Sequence, residues 1–175
     1  MATAADTTRN EFAELLHGAR RTADHLEMRD VYAVGDPSFE AWRAGRPFDR
    51  SQRNAVWRDI LAGPIGRGVA IRRARIVSEP VTNYIRYEHA ITDAANVAAG
   101  EQVRWLPRRR ACDVALPGTD FWLFDDQTVR FNHFAGDGQW AGTEIVTDPA
   151  VIALCTAAFG AVWERAIPHQ EYRAD

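Results

Sequence analysis

The chain contains no lysine, and its 21 basic residues other than histidine are all arginine. Without lysine, no side chain can form a Schiff base, hold pyridoxal phosphate or serve a phosphate-binding P-loop. The same absence excludes a phosphodiesterase that depends on paired histidine and lysine. The composition therefore removes several classes of lysine-dependent enzyme, whatever the fold.

Cysteine, net charge and long apolar runs are also scarce. Cys112 and Cys155 are the two cysteines, and with no secretory segment in the chain we expect reduced thiols and a cytoplasmic location. No run approaches the roughly 18 apolar residues that span a membrane. The net charge of −3 has the opposite sign to that of a free-standing nucleic-acid binder. We therefore expect no membrane partner and no direct nucleic-acid partner.

The motifs that hold cofactors and metals are missing as well. There is no Walker loop, dinucleotide glycine pattern, nucleophile elbow or zinc signature. The aspartates between 113 and 137 lack the spacing of metal ligands, and turn chemistry accounts for them. The sequence thus predicts neither a cofactor nor a metal.

The length of 175 residues predicts one domain. Residues 1–10 are polar and small, which predicts a disordered lead. We divide residues 11–175 into a helical preface at 11–65 and a mixed-sheet core at 66–175, with a first strand suggested at 25–32.

Apolar periodicity locates the remaining elements. Residues 69–77 form the clearest strand, which arginines interrupt, and Ser78-Glu79-Pro80 has the pattern of a helix start. From Asp120 onward the period changes to two, which predicts a three-stranded meander at 121–124, 129–134 and 140–146. Asp148-Pro149 then begins a long helix. The fold class is α/β or α+β, a mixed sheet with a C-terminal antiparallel meander, covered by helices.

Three residues are candidates for acid–base catalysis. Glu79 and Glu88 flank the junction after the first clear strand, where ligands commonly bind in α/β sheets, and His133 lies on an apolar strand face. The structural alternative is that Glu79 caps a helix, Glu88 pairs with Arg72 or Arg75, and His133 belongs to the core. Catalysis requires a carboxylate within hydrogen-bond reach of the histidine.

A further set of residues is proposed for ligand or partner binding, from its position near this junction or on the meander. It consists of Arg75, Tyr84, Arg86, Trp122 and Trp140. The alternative for the arginine groups is a solvated or ion-paired face.

Nearly the whole chain, from Phe12 to Tyr172, resembles an actinobacterial family of unknown function. The blocks that support this likeness lie at 77–80, 96–100, 120–126 and 148–149. The resemblance implies a gene that is often placed near helix-turn-helix regulators, and it implies no established activity.

The C-terminal half also resembles one half of a phospholipase-D-like domain, whose motif is His-x-Lys-x4-Asp. Gly118 stands at the histidine position, Asp120 at the lysine position and Asp125 at the aspartate position. The nucleophile is missing and the phosphate clamp has the opposite charge, so the resemblance implies the fold without phosphodiester chemistry.

These observations favour a non-catalytic regulatory or interaction module with a small-molecule ligand, acting with a helix-turn-helix regulator or another protein, or as a homodimer. The alternative is a small-molecule enzyme that uses Glu79, Glu88 and His133. Nucleic-acid binding through the arginines ranks last.

Overall fold

The computed structural model describes residues 4–32 and 35–175.

Local capping signals explain where most helices begin. Asp36 and Asp148 each accept backbone N–H bonds at a helix start whose first residue is proline, as expected for such a pair. The described residues form five α-helices: α1 (Ala4–Gly18), α2 (Pro37–Arg43), α3 (Ser51–Gly66), α4 (Asn83–Ala95) and α5 (Pro149–Arg165).

Seven strands form one mixed sheet. In chain order they are β1 (Thr22–Glu27), β2 (Ala70–Val77), β3 (Gln102–Pro107), β4 (Phe121–Phe124), β5 (Thr128–Phe134), β6 (Trp140–Val146) and β7 (Ile167–Pro168). Their spatial order is β6-β5-β4-β1-β2-β3-β7. Strands β1, β2 and β3 are parallel, and the other neighbours are antiparallel. The predicted fold class and the predicted meander are confirmed.

Helices cover both faces of the sheet. On one face, α5 packs Phe159 and Val162 against an apolar cluster that includes Leu26, Ile76 and Phe121. On the other face, Leu16 of α1 and Leu61 of α3 pack against the strands, and α4 adds Ile85. The molecule thus has three layers, with helices α1, α3 and α4 opposite α5.

The N-terminal division differs from the expectation. Strand β1 lies inside the supposed helical preface, yet it pairs with both β2 and β4 at the centre of the sheet. It begins and ends earlier than the suggested strand at 25–32. Helix α1 begins at Ala4, within the predicted disordered lead, and residues 1–3 of that lead are outside the described part of the chain.

Two helix boundaries also differ. Helix α3 continues through Gly63-Pro64, a pair that commonly ends a helix; a proline in the last turn removes only one hydrogen bond there. Helix α4 is capped by the Thr82 side chain, which accepts from the Ile85 N–H at 3.2 Å. Ser78 of the predicted helix start instead hydrogen-bonds Asp30, and Glu79, the cap in the structural alternative, contacts Tyr172 and Arg109.

Candidate functional site

Charged side chains occupy the inner face of the two central parallel strands. Residues two apart on a strand point to the same face, so His25 and Glu27 of β1 lie beside Arg73 and Arg75 of β2 in register. Each of the four is less than a tenth exposed. This face is the one covered by α1, α3 and α4, so the charges lie inside the protein.

Three of these residues join two further carboxylates, one from α4 and one just before β3, in a continuous set of ion pairs that we call the charged layer: Glu27, Arg73, Arg75, Glu88 and Glu101. Glu27 bridges the two arginines, with one oxygen on each. Arg73 also binds Glu101 at 2.7 Å, and Arg75 also binds Glu88 at 2.7 Å. Each arginine therefore contacts two carboxylates.

The pairing keeps these groups charged despite their burial. Burial alone would raise the pKa of Glu27, but Arg75 and Arg73 outweigh it and hold that pKa below its ordinary value. Burial likewise opposes the charge of Arg73, whereas Glu101 and Glu27 raise its pKa above the ordinary value. The central part of the layer is therefore ionised at neutral pH.

A cavity of about 440 Å³ opens over the charged layer between α3 and α4. Glu27, Arg73 and Arg75 form its floor, and Trp57 of α3 and Tyr84 of α4 stand among its walls. The size is in the range of small-ligand pockets, which combine apolar walls with a few convergent polar groups. This cavity is the candidate functional site.

His25 lies beside the floor in the neutral form. Its ring stacks on Trp122 with a centroid distance of 4.3 Å. Burial and the nearby Arg73 hold its pKa well below the ordinary value. Neither ring nitrogen has a hydrogen-bond partner among the described residues, so His25 adds no charge to the layer.

A smaller cavity, of about 310 Å³, borders Gly118 and Asp120. Asp120 is 1% exposed, and its Oδ1 accepts from the Met28 N–H at 2.8 Å. Burial raises its pKa to about 6, although the Tyr32 hydroxyl partly opposes this. A carboxylate that tends to take up a proton thus stands where the related motif has a lysine.

The three catalytic candidates do not come together. Glu88 binds Arg75 and accepts from the Tyr84 hydroxyl at 3.1 Å. Glu79 accepts from the Tyr172 hydroxyl and pairs with Arg109. His133 pairs with Glu144 on the edge strand β6, at 3.1 Å. The carboxylate beside His133 is therefore Glu144, whereas the acid–base hypothesis required Glu79 or Glu88 at that place.

The proposed binding residues divide into three groups. Arg75 and Tyr84 line the cavity. Arg86 is exposed and contacts Asn83 of its own helix. Trp122 is 4% exposed and packs among Phe12, His25 and Trp57, which corrects its assignment to a partner surface; Trp140 is 48% exposed.

The residues that the sequence analysis missed are Glu27, Arg73 and Glu101. The arginines of β2 suggested a solvated or ion-paired face, and two of the three are ion-paired in the interior. A signal was present: charges alternate with apolar residues in His25-x-Glu27 and in Arg73-x-Arg75. In a strand buried on both faces, such alternation indicates buried pairs of opposite charge.

Asp125 stands at the aspartate position of the phospholipase-D-like motif, and its contacts hold the local backbone in place. Its carboxylate accepts from the backbone N–H groups of Arg20, Arg21 and Thr22. It also occupies the β4–β5 turn, where both Asp125 and Asp126 have positive φ, as in a type I′ hairpin. Asp125 thus joins this turn to the start of β1.

The described residues contain neither a membrane-spanning helix nor a cluster of metal-ligating side chains. Within residues 4–32 and 35–175, no helix has the length and apolarity to cross a membrane. The same residues show no group of three or more histidine, cysteine, aspartate or glutamate side chains placed to hold a metal ion.

The comparison with protein families gave one match. A family described as a domain of unknown function (DUF6879) matches residues 10–174. No curated protein matches the sequence.

Solved structures show the same fold at low sequence identity. NucT from Helicobacter pylori has a TM-score of 0.52 and 11% identity, over 93% of this chain and 91% of that one. Nuc from Salmonella typhimurium, a phospholipase D family member, has a TM-score of 0.50 and 13% identity, over 94% and 90%. TrmBL2, an archaeal chromatin protein with a described mode of DNA binding, has a TM-score of 0.50 and 16% identity, over 91% of this chain and 50% of its own. The chain therefore has a phospholipase-D-like fold, and it spans about half the length of TrmBL2.

Proposed function

The chain belongs to the DUF6879 family of domains of unknown function, and from this premise we propose that it is a non-catalytic regulatory module. In this proposal it senses a small-molecule ligand in the cavity over the charged layer. It acts in the cytoplasm with a helix-turn-helix DNA-binding partner, in keeping with the gene neighbourhood of the actinobacterial family that it resembles.

The observation that supports this proposal is the combination of an available cavity with an altered motif. The cavity of about 440 Å³ is bordered by charged and aromatic side chains that neighbouring residues already position. Gly118 and Asp120 replace the residues that would attack and hold a phosphodiester. The fold thus keeps a place for a ligand while it lacks the nucleophile of its relatives.

The enzyme alternative has less support. General acid–base catalysis needs a base within about 3 Å of the reacting group and a partner that orients it. Glu88 is engaged by Arg75, whereas His133 lies on β5, separated from β2 by β4 and β1. No described contact joins them.

The partner surface that fits this proposal is the free edge of the sheet at β6. Strand β6 has a single neighbour, and it presents Trp140 and Ile145, which are exposed by 48% and 43%. Exposed aromatic residues are enriched at interface centres. The likeness to half of a DNA-binding chromatin protein also fits a module that leaves DNA contact to another part or protein.

The test is co-purification with a helix-turn-helix protein encoded near the gene of this chain, the partner that the family resemblance implies, measured by size-exclusion chromatography with light scattering. We expect a stoichiometric complex that Trp140→Ser weakens and that Leu154→Ser, at an exposed site on α5, leaves intact. In gel shifts at about 150 mM salt the chain alone should not bind duplex DNA, because its net charge of −3 opposes phosphate contact. Tight DNA binding by the chain alone, or the absence of a complex, would overturn the proposal.

A further inference from the structure

The charged layer under the larger cavity has an unbalanced charge: Glu27 and Glu88 line the cavity beside Arg73 and Arg75, and Glu101 binds Arg73 from outside the lining. In the charged layer, three carboxylates (Glu27, Glu88, Glu101) face two guanidinium groups (Arg73, Arg75). His25 is neutral, as described above. The layer therefore has a net charge of −1 on side chains that are largely buried, where an uncompensated charge is costly.

The rim of the cavity has the opposite imbalance. Arg50 and Arg53 both line the opening, and both pair with one carboxylate, that of Asp36, at 3.8 and 3.1 Å. The Nε of Arg50 is buried and has no hydrogen-bond partner among the described residues. The rim therefore has a net charge of +1 and an unused donor.

Aromatic rings stand between the rim and the floor. Phe12 and Trp57 stack with a centroid distance of 5.9 Å, and Tyr84 stands on the α4 side. The faces of such rings attract organic cations. Phe12 and Trp57 already have the guanidinium groups of Arg130 and Arg73 over their rings, so a cationic group in the cavity would meet the carboxylates of Glu27 and Glu88 within an aromatic lining.

We propose that this cavity binds a small zwitterion whose ammonium or guanidinium group contacts Glu27 and Glu88 and whose carboxylate lies at Arg50 and Arg53. The inference rests on the proposed ligand-sensing function and names its ligand class. A ligand of this kind neutralises the floor and the rim at once and adds no net charge.

Ligands with one charge satisfy only one end. An anion would find the floor arginines already bound to two carboxylates each, and it would add to the negative charge there. A cation without a carboxylate would pass the two rim arginines and leave Arg50 Nε without a partner. Because a zwitterion makes contacts at both the floor and the rim of the cavity, it should bind more tightly than its singly charged analogues.

The ligand class is tested by isothermal titration calorimetry of the full chain with two matched sets of probes. The first is 6-aminohexanoate with hexylamine and hexanoate; the second is L-tryptophan with tryptamine and indole-3-propionate. In at least one set the zwitterion should bind about tenfold or more tightly than both analogues, the change expected from one charged hydrogen bond. A carboxylic acid that binds as tightly as its zwitterion, or no binding by any probe, overturns the ligand class.

Two variants locate the bound zwitterion. Glu88→Gln removes the negative excess at the floor and should weaken binding about tenfold, whereas Glu164→Gln, at an exposed site on α5, should not. Arg53, with a side chain that is 66% exposed, tolerates Arg53→Gln without loss of fold, and binding should fall about threefold, while Arg58→Gln on the same helix has no effect. Equal affinities in Arg53→Gln, Arg58→Gln and the unchanged protein would contradict the proposed orientation.

The outcomes separate this inference from the proposed function. If an acid binds best, the cavity senses a ligand of another class and the regulatory proposal stands. If no probe binds while the complex with the helix-turn-helix protein forms, the ligand class alone fails. If no complex forms, the regulatory proposal fails even where a zwitterion binds.

Discussion

Arginine suits the charged layer better than lysine would. The planar guanidinium of Arg73 uses separate N–H groups for Glu27 and Glu101, and that of Arg75 reaches Glu27, Glu88 and the Thr92 hydroxyl. An ammonium group is a compact point charge that lacks this fixed fork. Arg73 and Arg75 each bridge two carboxylates in this way, and the charged layer depends on this geometry.

Asp120 leads to a prediction about pH. Its pKa in the folded protein is about 6, against an ordinary value of 3.8, so between these values the folded state holds a proton that the unfolded state has lost. Its contribution to stability is therefore present at low pH and is lost as the pH rises through about 6. The difference corresponds to about 3 kcal/mol in the free energy of unfolding.

Asp120→Asn should remove this dependence. Urea unfolding at pH 4 to 7 should show the variant gaining stability relative to the unchanged protein as the pH rises, by up to about 3 kcal/mol. Asp59→Asn, at an exposed site on α3, serves as the control and should show no such trend. Parallel pH curves for Asp120→Asn and the unchanged protein would mean that Asp120 is ionised throughout.

At the scale of elements, α5 shows which residues of an apolar stripe contribute most to the stability of the fold. The apolar stripe of α5 includes Trp163, and its helical spacing alone would place that side chain in the core. In the structure Trp163 is partly buried, with Arg104 over its ring at 4.4 Å, whereas Phe159 is 2% exposed. Phe159 is thus the main anchor of the helix.

We therefore expect Phe159→Ala to lower the free energy of unfolding by about 3–5 kcal/mol, and Trp163→Ala to lower it by clearly less. Chemical denaturation of both variants at one pH measures the difference. Val151→Ala, at the first turn of α5, provides a milder comparison. A larger loss for Trp163→Ala than for Phe159→Ala would show that the cation–aromatic contact outweighs burial.

Elements with a single strong period were predictable from the sequence. The meander strands are apolar segments separated by turn residues after Asp120, and α5 has both a cap and an apolar stripe, so both were located closely. Strand β1 was placed too late, because its inward positions include His25 and Glu27 and therefore do not look like core.

The candidate site was less predictable for the same reason. Glu88 was singled out because it interrupts an apolar stripe, and it binds Arg75, one of the two partners that the structural alternative named. Glu27, which binds the same arginine, lies 48 residues before it in the chain. Glu101 gives no periodic signal at all, since it precedes β3 in a turn. Pairing between distant elements is a property of the fold, which a local pattern does not contain.

At the scale of the whole molecule, the fold of the phospholipase-D-like proteins persists without their motif. We expect no turnover of bis(p-nitrophenyl) phosphate by the purified chain, because the nucleophile position is Gly118 and Asp120 would repel the substrate. Asp125→Ala should lower the melting temperature, since three backbone N–H groups lose their acceptor. Robust turnover that Asp125→Ala abolishes would contradict the first statement, and an unchanged melting temperature in Asp125→Ala would contradict the second.

The two faces of the sheet differ in their aromatic residues, and this has a practical consequence. Trp57, Trp105 and Trp122 border the charged layer, each ring within 6.0 Å of a guanidinium carbon, while Trp163 lies on the opposite face with α5. Indole emission responds to nearby charges, so most of the intrinsic fluorescence change on ligand binding would arise on the cavity side. The protein thus contains its own optical reporter for the site, and Trp163→Phe would remove the background from the other face.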